Sequence, residues 1–166
     1  MLEWPEILLR LAVATLAGGM IGLNRDLHSK PIGLKTLGLV GLATAMVVVL
    51  AGPSPDPAKI TDATSRVIQG ILTGIGFLGA GVIVHAEHDF RVRWLTSAAC
   101  TWFAACLGIA CGVGQWRIVA IALVIAFTLL IAGRQVERSL HRRLGGTEDP
   151  AQKSPASASP VDTPPS

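Results

Sequence analysis

The chain has 166 residues, of which 51% are hydrophobic and only 15% charged, with a formal net charge of +3. A soluble domain carries roughly 25% charged residues, so this composition excludes a water-soluble enzyme domain, and the apolar excess excludes a disordered protein. Measured against the ~20 residues that cross a hydrocarbon core, the apolar runs give five spans, near residues 7–23, 34–51, 67–84, 95–112 and 116–133. The run from Ile118 to Ala126 does not alternate polar with apolar, so the spans read as helices and not as strands of an outer-membrane barrel.

The segment before the first span holds Glu3 and Glu6 but no Lys or Arg, the reverse of a signal-peptide n-region. The first run is therefore expected to stay as a span. Arg10 lies one or two turns into it. Helical side chains lean toward the N-terminus, so Arg10 is expected to snorkel outward and pair with Glu6, four residues earlier; a role in transport is the alternative. Gly18 and Gly22 form a small-xxx-small pair of the kind that lets helix backbones approach. Asn24 and Arg25 end the span.

The third span carries the most chemistry. Asp62, Arg66, Gln69 and Thr73 follow one another at intervals of four, three and four, and so make one polar stripe if the helix begins near Ile60. Lipid does not tolerate Gln69 or Thr73, so the stripe is expected to face other helices or a wet crevice. It reads either as interhelical hydrogen bonding or as the mouth of an ion- or ligand-binding crevice. Below it lie Gly70, Gly74, Gly76, Gly79 and Gly81. The enclosed G-x-G-x-x-G string has no strand before it, so a nucleotide site is not expected. These glycines are expected to give close helix packing, the alternative being local unwinding that exposes carbonyls to a cation.

The loop that follows gathers His85, Glu87, His88 and Asp89, without a partner at metal-ligand spacing elsewhere, and reads as a solvated turn. In the fourth span Ser97, Thr101, Ala104, Gly108 and Gly112 form a small face, and Cys100, Cys106 and Cys111 read as packing residues. Trp4, Trp94 and Trp116 fall at span edges, where indole rings settle among headgroups, whereas Trp102 is expected to pack. Beyond the fifth span, residues 134–144 are expected to continue the helix as a basic, surface-lying segment. Residues 145–166, rich in Pro, Ser and Ala, are expected to be disordered.

Basic residues then set the orientation. Arg25, Lys30, Lys35, Arg91, Arg93, Arg134, Arg138, Arg142 and Arg143 fall on one side, against Lys59, Arg66 and Arg117 on the other. Short loops rich in Lys and Arg stay in the cytoplasm, so the N-terminus is expected outside and the C-terminus inside. That distribution explains the net charge without a nucleic-acid partner. No nucleophile–base pair stands out, so no enzyme activity and no cofactor are expected, and the residues do not identify a metal.

Three segments together resemble the MgtC/SapB family of small bacterial membrane proteins: Gly18-Gly-Met-Ile-Gly-Leu-Asn-Arg25 leading to Gly33-Leu-Lys-Thr36; Arg66-x-x-x-Gly70 leading to Gly74-Ile-Gly-Phe-Leu-Gly-Ala-Gly-Val-Ile83; and Leu95-Thr-Ser-Ala-Ala99 with Trp102 and Gly108. The resemblance implies an all-α inner-membrane domain of about five helices over residues 1–144. It implies a role in magnesium limitation, acid stress and virulence, exerted through other membrane proteins such as the F-type ATP synthase. By position it marks Asn24, Arg25, Asp62, Arg66, the Gly74–Gly81 string and Thr96 as the functional region. Two departures stand out: Asn24 replaces the family's usual Glu, with Asp26 close by, and residues 145–166 cannot form the soluble regulatory domain of the type member. A small homo-oligomeric transporter or channel for Mg²⁺ or H⁺ is the competing reading.

Overall fold

A computed structural model describes residues 2–52, 54, 59–84 and 95–143, with side-chain surroundings described up to residue 81 in the third helix and residue 132 in the last. The five apolar runs form five helices: α1 (Trp4–Asp26), α2 (Leu34–Leu50), α3 (Asp62–Val84), α4 (Leu95–Val113) and α5 (Trp116–Arg143). No strand occurs among the described residues. The expectations for residues 85–94, including His85, His88, Arg91, Arg93 and Trp94, and for the tail 145–166 fall on residues outside those described.

Local chemistry sets the helix ends. Pro5 sits in the first turn of α1, where its missing N–H has no acceptor to lose. Asp26, the last residue of α1, turns its carboxylate onto the start of α2 and accepts the Leu34 N–H at 2.8 Å. The Thr61 hydroxyl accepts the Thr64 N–H at 3.1 Å and so caps α3. At the end of α4, Gly114 takes φ +92, which lets the Gln115 N–H bond back to the Ala110 carbonyl at 2.9 Å. The reversal leads directly into α5.

Packing within Met1–Thr128, one compact unit, rests on missing side chains. A Cβ on Gly18 would collide with the Leu37 carbonyl, one on Gly22 would meet the Gly33 oxygen at 2.6 Å, and one on Gly41 would meet the Ala14 oxygen at 2.5 Å. These pairings run in opposite senses along the chain, so α1 and α2 are antiparallel. A Cβ on Gly108 would strike Thr44 and the Gly41 carbonyl, while one on Gly112 would lie 2.7 Å from the Val48 Cβ, so α4 runs parallel to α2. Val67, Ile68, Ile71 and Leu72 of α3 pack on Val48, Ile109 and Val113. A second unit begins at Leu129, within α5, whose helix continues to Arg143 through the expected basic segment.

Residue size is distributed inside out. Ala14, Ala17, Ala45, Ala104 and Ala105 are buried, whereas Leu50 and Phe77 are 77% and 80% exposed and Leu8, Leu16, Leu39, Ile121 and Val124 also point outward. A soluble protein buries such residues; small residues inside and large apolar ones outside suit helices packed in lipid. By length and composition α1 and α4 are apolar enough to cross a membrane, while α2 and residues 116–132 are apolar but shorter. Trp102 differs from expectation: it is 48% exposed, on the outer side of α4.

Candidate functional site

Two arginines of α1 engage the two ends of α4. Arg10 is only 7% exposed. Its Nε donates to Glu6 Oε1 at 2.7 Å, the expected pair, and its Nη1 donates to the Gly112 carbonyl at 2.7 Å. The guanidinium leans toward the N-terminal end of α1 as expected, but it does not reach water: it is buried against α4 and caps the C-terminus of that helix. A cation is favoured there, because the last carbonyls of a helix carry the negative end of its dipole. A Cβ on Gly114 would sit 2.9 Å from Arg10 Nη2, so this turn residue also makes room for the cap.

Arg25, 6% exposed, lies at the opposite end of α4. Its Nη2 donates to Ser97 Oγ and to the Pro31 carbonyl at 3.5 Å, and its Nη1 approaches Cys100 Sγ at 3.5 Å. Nε is buried without a hydrogen-bond partner. Ser97 belongs to the first turn of α4, where the helix dipole is positive and opposes a cation. Among the described residues no carboxylate forms an ion pair with Arg25, in contrast to the Arg10–Glu6 pair. Asn24 carries no charge to offer, and its carbonyl accepts from His28 Nδ1 at 2.5 Å. Asp26 does not replace the missing acid, because its carboxylate is committed to α2. Thr96 is exposed beside this cluster in sequence.

The polar stripe of α3 sits elsewhere. Asp62, Arg66, Gln69 and Thr73 are all exposed, on the side of the helix opposite buried Thr64 and Ile75. The Thr73 hydroxyl donates to its own backbone, to the Gln69 carbonyl at 2.9 Å. The stripe therefore faces away from the other described helices of the chain, so of the two expected surroundings, other helices or a wet crevice, the first is not met by this chain's own described helices. The glycines behave likewise. Gly70, Gly74, Gly76 and Gly81 have open space where a Cβ would stand, and Gly79 alone of the string meets a neighbour, Ala98 Cβ at 3.8 Å. Within the chain, close packing belongs to α1, α2 and α4.

Sequence reasoning singled out Arg25 but missed its partners. Ser97 and Cys100 appeared only as small packing residues, and nothing in their local pattern pointed to a guanidinium more than 70 positions away. Cys100 and Cys111 are buried and Cys106 is half-buried, all three as free thiols. Among the described residues no group of three His, Cys, Asp or Glu side chains comes together in a way that could hold a metal ion.

The arrangement thus consists of a latched α1–α2–α4 core and a polar face on α3. Comparison with known proteins places it. The model of the MgtC family matches residues 11–139, most of the chain. The chain belongs to the MgtC family. It is 39% identical over 124 residues to protein SapB of Bacillus subtilis, covering 70% of this chain and 53% of that protein. It is 33% identical over 144 residues to protein SrpB of Synechococcus elongatus, covering 82% and 79% of the two chains. Protein MgtC of Salmonella typhimurium is 36% identical over 142 residues, covering 86% of this chain and 58% of that protein. The chain thus spans a little over half the length of the SapB and MgtC proteins it matches. No solved structure matches it. Family membership and the inside-out packing together make this a membrane protein of the MgtC family.

Proposed function

We propose that the chain is a multi-pass protein of the bacterial inner membrane, N-terminus outside and C-terminus inside, that acts by contacting other membrane proteins. It has no catalytic role in this reading. What it modulates is membrane energetics or adaptation to low magnesium and acid, the role that the family resemblance implies, along with its link to virulence; an F-type ATP synthase is a candidate partner.

One observation carries the reading. The stripe of Asp62, Arg66, Gln69 and Thr73 is exposed on the side of α3 turned away from the chain's own core. Polar groups at membrane depth need polar partners, and such partners must then come from outside the chain. Arg10 and Arg25, by contrast, are buried and engaged between helices, which leaves neither as an ion-binding group in a path of its own.

Affinity purification from native membranes at low magnesium tests the proposal. Recovery of a membrane complex that is lost with Arg66→Ala supports it, and recovery of the chain alone overturns it. Labelling of a cysteine placed at Lys59 from outside and at Arg91 from inside tests the orientation. The competing transporter reading draws on the same outward stripe, since several copies around one axis would bring their stripes into a common polar path. Mg²⁺ or proton flux in reconstituted vesicles, abolished by Asp62→Ala, would favour it.

A further inference from the structure

The two sides of α3 differ in kind. Thr64 and Ile75 are buried, and Ile68, Ile71 and Leu72 pack on Val48, Ile109 and Val113. On the opposite side Asp62, Arg66, Gln69, Thr73, Gly76 and Ala80 are all exposed. These six follow one another at alternating intervals of four and three residues, the spacing of a coiled-coil seam. At ~100° per residue they stay within about 80° of one another. The seam is polar in its first half and small in its second.

We infer that this seam pairs with the same seam of a second copy of this chain, two α3 helices lying side by side and pointing the same way. The inference deepens the proposed function by naming the first partner at its polar face. The seam carries its own complement. A two-fold axis along the helices brings each position to itself, and the Gln69 amide, both donor and acceptor, can then bond reciprocally with its copy. Asp62 and Arg66 are opposite in charge and one turn apart. Because a helical side chain leans toward the N-terminus, Arg66 of one chain reaches toward Asp62 of the other. Thr73 is again donor and acceptor. Gly76 and Ala80 present no bulk, so the backbones can close up where the polar groups end. A polar residue in an otherwise apolar or small seam also fixes register, and here four of them do so.

Cysteine cross-linking of the full chain in native membranes tests this. Cysteines are placed singly at Arg66, Gln69, Thr73 and Gly76, and at Val67, Ile68, Ile71 and Ile75 on the packed side, with the unaltered chain as background for its own thiols. Expected is a product of twice the chain mass at the first four positions and not at the others. Absence of that product at every seam position overturns the inference, as does equal cross-linking on both sides or a product of any other mass. Two further variants guard against misfolding. Gln69→Leu is expected to weaken the dimer roughly ten-fold in detergent sedimentation. Gly76→Leu is expected to abolish it while the monomer's thermal unfolding stays unchanged, because Gly76 has open space within its own chain. A monomer destabilised by Gly76→Leu, or a dimer indifferent to both changes, overturns it. A co-purified membrane complex without seam cross-links would leave the proposed function standing alone; seam cross-links without such a complex would leave the dimer standing alone.

Discussion

Gly18, Gly22, Gly41, Gly108 and Gly112 are the places where α1, α2 and α4 approach closely, whereas Gly70, Gly74, Gly76 and Gly81 on α3 face open space. The two sets look alike in sequence, both being small residues at helical spacing within apolar runs. Their surroundings differ completely. In the first set a single methyl would meet a backbone carbonyl or the body of a neighbouring side chain; in the second it would meet nothing from the chain itself. Small-xxx-small spacing thus marks a surface able to be approached closely and does not say what approaches it. In α1, α2 and α4 the answer lies within the chain; in α3 no described part of the chain approaches Gly70, Gly74, Gly76 or Gly81.

The same substitution made in both sets of glycines separates them most strongly. Gly18→Ala and Gly108→Ala place a methyl against the Leu37 and Gly41 carbonyls. Backbone cannot move aside as a side-chain tip can, so each is expected to cost on the order of 3 kcal/mol, the upper part of the usual overpacking range. Unfolding in mixed detergent micelles measures this. A loss below about 1 kcal/mol at both sites would mean that the helices separate easily and that the glycines do not determine their spacing.

The two arginines sharpen the contrast at the level of charge. Arg10 sits where the α4 dipole is negative and Arg25 where it is positive. Arg10→Gln loses a charge-assisted cap and an ion pair and is expected to cost about 2 kcal/mol. Arg25→Gln also loses hydrogen bonds, but it removes a buried cation that is opposed by the dipole and has no carboxylate among the described residues. Its cost is expected to be about 1 kcal/mol smaller. Thermal unfolding of both variants in one detergent decides it, and an equal or larger loss at Arg25 would point to an anion held beside it.

Hydropathy located all five helices, since the expected runs near residues 7–23, 34–51, 67–84, 95–112 and 116–133 all lie in or close to the observed ones. The Glu6–Arg10 pair was legible because it is local, four residues along one helix. The Arg10–Gly112 bond was not, because 102 residues separate its partners and no local pattern encodes which helix end an arginine will meet. The α3 stripe shows the same limit. Periodicity establishes that Asp62, Arg66, Gln69 and Thr73 share a side, but the direction of that side depends on which other residues of α3 bind best to α4. Val67, Ile68, Ile71 and Leu72 pack on Val48 of α2 and on Ile109 and Val113 of α4, and they turn the polar residues away.

A smaller effect is expected at the α1–α2 turn. Asp26→Ala removes the carboxylate that accepts the Leu34 N–H and sits at the positive end of α2. The expected cost is about 1 kcal/mol, in line with losing a helix cap. Asp26→Asn keeps the acceptor and loses only the charge, so it should cost less. If both variants lose the same amount, the charge at the positive end of α2, and not the acceptor, sets the interaction.

The smallest effect is expected on α3. Gly74→Ala and Gly81→Ala add a methyl where no atom of the described residues lies within 4 Å, and both lie on the flank of the proposed α3 seam. Within a helix, glycine costs roughly 0.5–1 kcal/mol relative to alanine because of the freedom it loses on folding. Both substitutions are therefore expected to leave the monomer's stability unchanged or raise it by up to about that amount. This outcome differs in sign from that at Gly18 and Gly108, although the exchange is identical. A loss of 2 kcal/mol or more at Gly74 in monomeric protein would show that α3 packs on its own chain through this side. The stripe would then lie against the chain's own helices and would need no partner from outside.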